Sequence, residues 1–185
     1  MLAKMRNGGA ACTAANRIYV QRPVAKEFTE KFAAAMGAFV MGRGRDAGVQ
    51  LGASVSVKER NKIAELVDNS IKAGAKVLTG GKTPDGPGAF YPATVLEVDK
   101  KAEILNHEVF GPVAPIVIFD KDEEGIELAN STDFGLISYV YSEDLKRAIQ
   151  ISEAIESGMV AINRGMISDP AAPFGGVKQS GLGRE

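Results

Sequence analysis

The chain has one cysteine and one histidine in 185 residues. A single thiol excludes an internal disulfide framework and agrees with a reducing compartment, so a cytoplasmic setting is expected. The same two residues are too few for the usual zinc ligand sets, and no metal site is expected. Charge of one sign is lacking as well: 22 Lys and Arg stand against 23 Asp and Glu, interspersed along the chain. No basic surface stands out, which argues against a nucleic-acid partner. No stretch approaches the roughly 18 apolar residues of a membrane span. The opening "MLAKMRNGGAAC" holds no apolar run of signal-peptide length. Also missing is a strand followed by G-x-G-x-x-G and an acidic residue; "MGRGRDAG" has glycines but follows a helical run. The chain is therefore expected to carry no dinucleotide-binding domain of its own.

What is present suits one globular domain, with 45% hydrophobic and 24% charged residues. "RIYVQ" (17–21) reads as a strand. Pro23 opens a helical run through Met41, with Phe28, Phe32, Ala35, Met36 and Phe39 at helical spacing. "SVKERNKIAELVDNSIKAGA" (56–75) is a second helix, apolar at Ile63, Leu66, Val67 and Ile71 and stopping near Gly74. "KVLTGG", "YPATVLEV", "VAPIVIF", "ISYVYS" and "GMVAIN" read as strands, "KTPDGPGAF" as a turn-rich loop. "DEEGIELANS" and "SEDLKRAIQISEAIES" read as helices, the first weakened by Gly125. Short apolar strands alternating with amphipathic helices give an α/β class: a mainly parallel twisted sheet with helices on both faces. No repeat or interdomain linker is visible.

The chemistry concentrates in "RNGGAACTAANR", which holds the only cysteine, Cys12. An isolated cysteine is ordinarily a small buried hydrophobe. The context supplies another reading. Gly8 and Gly9 allow a close backbone approach to a ligand. A short helix beginning at "ACTAAN" puts the thiol at a helix N-terminus, where dipole and free N–H groups favour a thiolate and an oxyanion. Arg6 adds positive potential or binds an anionic substrate. Cys12 is thus a nucleophile candidate beside its core reading. His107, in "NHEVFGPV", reads as a surface or structural residue rather than its base. None of the 23 acidic residues lies close to Cys12 in sequence.

"GGAACTAANRIYVQ", "EVFGPVAPI" and "PFGGVKQSGLGRE" together resemble, in order and spacing, three signature segments of the aldehyde dehydrogenase superfamily. The resemblance runs over essentially the whole chain and corresponds to that family's catalytic domain. It implies that Cys12 attacks an aldehyde to form a thiohemiacetal, passes hydride to NAD or NADP, and leaves a thioester that water hydrolyses. It further implies that Glu108 hydrogen-bonds the nicotinamide ribose and Phe110 packs by the nicotinamide. Phe174 would line the substrate tunnel and Asn163 would place its loop. On the residues alone, Glu108 reads by default as a solvated turn residue, and Phe174 reads also as core packing.

"NRGMISDPAAPFGGVKQSGLGRE" is similar to the succinate-semialdehyde dehydrogenase branch. That likeness implies that Arg6 and Ser168 bind the substrate's far carboxylate, as charge-assisted hydrogen bonding would favour. The alternative for Arg6 is a structural ion pair. Some members carry a second cysteine two residues after the nucleophile; here that position is Ala14, which excludes an intramolecular disulfide switch. The family's NAD(P)-binding domain, its general base and its C-terminal oligomerisation tail have no counterpart within 1–185. The expectation is therefore a catalytic domain of an enzyme that is a homo-oligomer at full length. Alone, it would bind no NAD or NADP and turn over no aldehyde. Another semialdehyde dehydrogenase, a residual thiol esterase and a non-catalytic self-associating fragment are the other readings.

Overall fold

Ser56 and Glu59 open a helix in the way their spacing demands: the Ser56 hydroxyl accepts from the Glu59 amide at 3.2 Å. The structure is a computed structural model that describes residues 1–185. The chain divides into two compact units, one formed by residues 3–118 with Met1, the other by 119–185 with Leu2. No linker separates them, because the division falls inside a strand.

In the first unit, a short helix α1 (Leu2–Met5) leads through an irregular turn to β1 (Ile18–Gln21). Helix α2 (Arg22–Gly37) follows at once, with Pro23 in its first turn, where the missing N–H has no intrahelical role. The periodic run to Met41 overshoots: α2 ends at Gly37 and Phe39 lies beyond it. Phe32 and Met36 are buried, whereas Ala35 is exposed. Phe28 is 37% exposed and stacks on Phe32 at 5.4 Å between ring centroids. Helix α3 (Val57–Lys72) buries Ile63 and Val67 and is followed by Gly74 in the left-handed region, φ 99°.

Strands β2 (Lys76–Thr79), β3 (Thr94–Glu97) and β4 (Val113–Phe119) complete a four-stranded sheet ordered β1-β4-β3-β2. Strand β3 runs parallel to β4, with Thr94 opposite Val113, and antiparallel to β2, with Lys76 opposite Glu97. The α/β class holds, and this sheet is mixed because the glycine-rich segment after β2 returns the chain beside it. Val95, Leu96, Val113, Ala114, Ile116 and Val117 are wholly buried, the near-continuous apolar run of strands covered on both faces. Val95, Ala114 and Ile116 pack with Met5, Val20, Phe32 and Met36 in one core.

In the second unit, α4 (Asp122–Asn130) forms despite Gly125. A Cβ there would stand 2.8 Å from the Phe119 ring, so the glycine lets the helix pack closely. Strand β5 (Phe134–Gly135) pairs antiparallel with β8 (Val177–Lys178). Strand β6 (Ile137–Val140) pairs parallel with β7 (Met159–Ile162) through α5 (Leu145–Ala154), whose first turn is capped by Asp144. Arg147 of α5 binds Asp122 of α4, Nε to Oδ2 at 2.6 Å, and holds its carboxyl below the usual carboxylate range.

Candidate active site

The loop carrying Cys12 is shaped by three consecutive left-handed residues, Asn7, Gly8 and Gly9, at φ 51°, 63° and 80°. Asparagine and glycine are the residues that tolerate this conformation. Asn7 closes the turn through its side chain, donating to the Ala10 carbonyl at 2.8 Å. Cys12 follows, exposed, in a turn closed by the Ala14 amide on the Ala11 carbonyl at 2.9 Å. The Ala15 amide donates back to the Ala3 carbonyl at 2.7 Å, tying this turn to α1. The helix expected at "ACTAAN" does not form; residues 10–17 carry no regular structure. Propensity favours a helix there, but the bond to Ala3 takes the amide that would have continued one. The thiol thus stands on a turn, exposed rather than in the core, and not at a helix N-terminus.

Gly9 has a different partner from the ligand expected of it. A Cβ on Gly9 would lie 2.1 Å from the Gly111 carbonyl oxygen, so the close approach is between the Cys12 loop and the "EVFGPV" segment. A second tie runs through Asn16, four residues after the thiol. Its Nδ2 donates to the His107 carbonyl at 2.6 Å, and its Oδ1 accepts from the Val109 amide at 2.7 Å. These two backbone groups flank Glu108. Val109 is buried, while Glu108 and Phe110 on either side of it are exposed. The imidazole of His107 is engaged with Glu103, Nε2 to Oε1 at 3.0 Å, in agreement with a surface role.

Lys4 lies in the same unit and is 2% exposed, with no hydrogen-bond partner for its Nζ. Burial pushes its ammonium down to about 8, and the nearby Glu108 carboxylate opposes that shift. Arg6 is exposed and takes part in no ion pair within residues 1–185.

The structure brings Arg6, Cys12, Glu108 and Phe110 into the first unit; Ser168 and Phe174 belong to the second. Ser168 is exposed, just before a turn in which Asp169 Oδ1 accepts from the Ala171 amide at 2.9 Å. Phe174 is half-buried, and its backbone pairs in both directions with Glu185, at 2.9 and 3.0 Å. The terminal "GLGRE" therefore folds over "PFGG". Asn163 adopts φ 53° and bonds both backbone groups of Ser142, at 3.0 and 2.8 Å, which fixes the start of the loop carrying Ser168.

An aldehyde dehydrogenase family model matches residues 1–185. The chain belongs to that family. A succinate-semialdehyde dehydrogenase of Paenarthrobacter nicotinovorans is 55% identical over the whole chain, which covers 41% of that protein. A glutarate-semialdehyde dehydrogenase of Pseudomonas putida is 44% identical, again over the whole chain and 38% of the relative. Among solved structures, a succinate-semialdehyde dehydrogenase of Burkholderia pseudomallei superposes with a TM-score of 0.95 at 42% identity. That match covers 98% of this chain and 38% of the other. The chain thus spans about two fifths of the length of the aldehyde dehydrogenases it matches. Enzymes of the family use NAD or NADP. No helix of the chain is long and apolar enough to cross a membrane, and no group of His, Cys, Asp and Glu side chains is arranged to hold a metal ion.

Asn16 and Lys4 carry no local signal in the sequence. Asn16 looks like one more polar residue in a loop, because its partners lie 91 and 93 positions away. Lys4, in "MLAKM", looks like a solvent-facing lysine.

Proposed function

We propose that this chain is the catalytic domain of an NAD(P)-dependent dehydrogenase for an aldehyde bearing a carboxylate at its far end, with succinate semialdehyde as substrate. The observation that carries the reading is an exposed Cys12 on a turn tied by Asn16 to the backbone on both sides of Glu108. The Cys12 sulfur adds to the aldehyde carbon as thiolate, and the Cys12 amide supports the resulting oxyanion. Loss of hydride from that carbon leaves a thioester on Cys12, and water releases the carboxylic acid and the thiol. Arg6 binds the substrate's far carboxylate through its guanidinium fork.

The residues present fit one end of the cofactor. Glu108 offers an exposed carboxylate able to accept from both hydroxyls of a ribose, and Phe110, 48% exposed, offers an aromatic face two residues on. The nicotinamide ring, when bound, supplies the hydride acceptor. Nothing in the sequence provides a glycine-rich phosphate loop, so the isolated chain is inactive as a dehydrogenase. Turnover belongs to a longer, cytoplasmic, homo-oligomeric polypeptide that carries this chain.

The test compares the 185-residue chain with the polypeptide encoded together with the reading frame upstream of Met1. The longer protein should oxidise succinate semialdehyde with NAD or NADP, lose turnover on Cys12→Ala, and show a succinyl adduct on Cys12 by mass spectrometry. The short chain should show no turnover. Robust NAD(P)-dependent oxidation by the short chain, or activity surviving Cys12→Ala, would sink the reading.

A further inference from the structure

Glu108 is exposed, and no hydrogen bond or ion pair fixes its carboxylate. Its backbone is another matter. The groups immediately before and after it, the His107 carbonyl and the Val109 amide, both end on the Asn16 side chain, at 2.6 and 2.7 Å. A carboxamide is the group that can satisfy one acceptor and one donor at once, mimicking a strand neighbour. Val109, 2% exposed, anchors the segment from the core side, and Gly9 meets the Gly111 carbonyl two residues further on. Glu108 therefore sits on a peptide held at three successive points, two of them supplied by the loop that bears Cys12.

We propose that Asn16 is a positioning residue for cofactor binding: its two-ended clamp fixes Glu108 relative to Cys12, so that the carboxylate meets the nicotinamide ribose where the thiol needs the ring. This rests on the assignment of Glu108 to the ribose. Asn16 touches neither cofactor nor substrate and acts only through the Glu108 backbone. The buried Lys4 ammonium adds a charge from the same N-terminal segment that attracts the Glu108 carboxylate.

Two measurements test it. In the 185-residue chain, amide hydrogen exchange read by NMR should show Val109 exchanging about tenfold faster or more in Asn16→Ala, with Leu96 and Val117 unchanged. Asn16→Asp keeps an acceptor for the Val109 amide and should retain most of that protection; it also serves if Asn16→Ala fails to fold. In the longer active enzyme, Asn16→Ala should raise KM for NAD or NADP about tenfold, leave KM for the aldehyde within about twofold, and be partly rescued by Asn16→Asp. Glu108→Gln is measured alongside. Unchanged Val109 exchange in Asn16→Ala overturns the proposal. So does an unchanged cofactor KM in Asn16→Ala when Glu108→Gln raises it. If Glu108→Gln itself leaves the cofactor KM unchanged, the ribose assignment fails and the proposal falls with it.

Discussion

The α-carbon of Gly9 and the carbonyl oxygen of Gly111 are so close that a single methyl group cannot be placed between them: a Cβ on Gly9 would sit 2.1 Å from that oxygen. The obstacle is backbone, which cannot rotate away as a side chain can. Gly9 also has φ 80°, where an L-residue is strained by roughly 1–2 kcal/mol. Adding the overpacking cost of roughly 1–3 kcal/mol, Gly9→Ala should destabilise the fold by about 2–5 kcal/mol. Gly111→Ala is the informative comparison, because its Cβ would meet the end of the flexible Ile63 side chain. Urea denaturation of both variants checks this, and equal losses would show that the Gly9 approach is not the tight point.

Lys4 gives a pH signature. Burial lowers its pKa from 10.5 to about 8. Between those values the unfolded chain holds a proton there that the native chain lacks, so this group's contribution to stability rises with pH across that window. Below the window both states are protonated and the fold carries the whole cost of a buried ammonium, roughly 3 kcal/mol at 1.36 kcal/mol per unit. Lys4→Met should therefore stabilise the chain at pH 7 by roughly 1–3 kcal/mol, with the advantage vanishing near the unfolded-state value. The difference between wild type and variant is the quantity to measure, because burial raises the pKa values of Tyr19 and Tyr141 and gives slopes of opposite sign. A pH-independent difference would count against a buried charge at this position.

The parts of the fold that depend on near neighbours were legible in the sequence. Pro23 in the first turn of α2, the apolar spacing of Ile63 and Val67, and the unbroken run "VAPIVIF" each carry their element in a few residues. Cys12 stands out as a candidate because it is alone, and "EVFGPV" and "PFGG" because they accompany it in the resemblance. What stayed hidden depends on distant backbone. "ACTAAN" has helical propensity, yet the Ala15 amide goes to Ala3. Gly9 signalled a close approach correctly, but nothing local says that Gly111 is what approaches. The same limit hid Asn16, whose side chain acts at a segment more than ninety positions away. The sheet is mixed because the glycine-rich return between β2 and β3 sets those two strands antiparallel, a pairing that the strand patterns alone do not specify.

Asn163 separates two contributions that usually arrive together. Its φ of 53° favours Asn or Gly, and its side chain bonds the amide and carbonyl of Ser142. Asn163→Gly keeps the backbone conformation and loses the two bonds, at a cost of roughly 1–2 kcal/mol for bonds in an exposed setting. Asn163→Ala loses the bonds and also strains the backbone, and should cost about 1 kcal/mol more. Thermal denaturation of the pair reads the difference directly. If alanine and glycine are equivalent here, the left-handed conformation is not being held.

Arg6 offers the sharpest test of substrate class, because it is exposed and carries no ion pair that a substitution would disturb. A hydrogen bond to a charged partner contributes about 1.5–3 kcal/mol, which corresponds to roughly 10–150-fold in binding. In the longer enzyme, Arg6→Gln should raise KM for succinate semialdehyde by that factor. Butanal, which has the same carbon chain and no carboxylate, should be unaffected. Glutarate semialdehyde is longer by one methylene, a difference that a pocket discriminates by only about 10–200-fold. It should therefore show the same dependence on Arg6 even if it binds less well. A loss of equal size for butanal would mean that Arg6 supports the loop rather than the substrate's carboxylate, and the semialdehyde assignment would then rest on likeness alone.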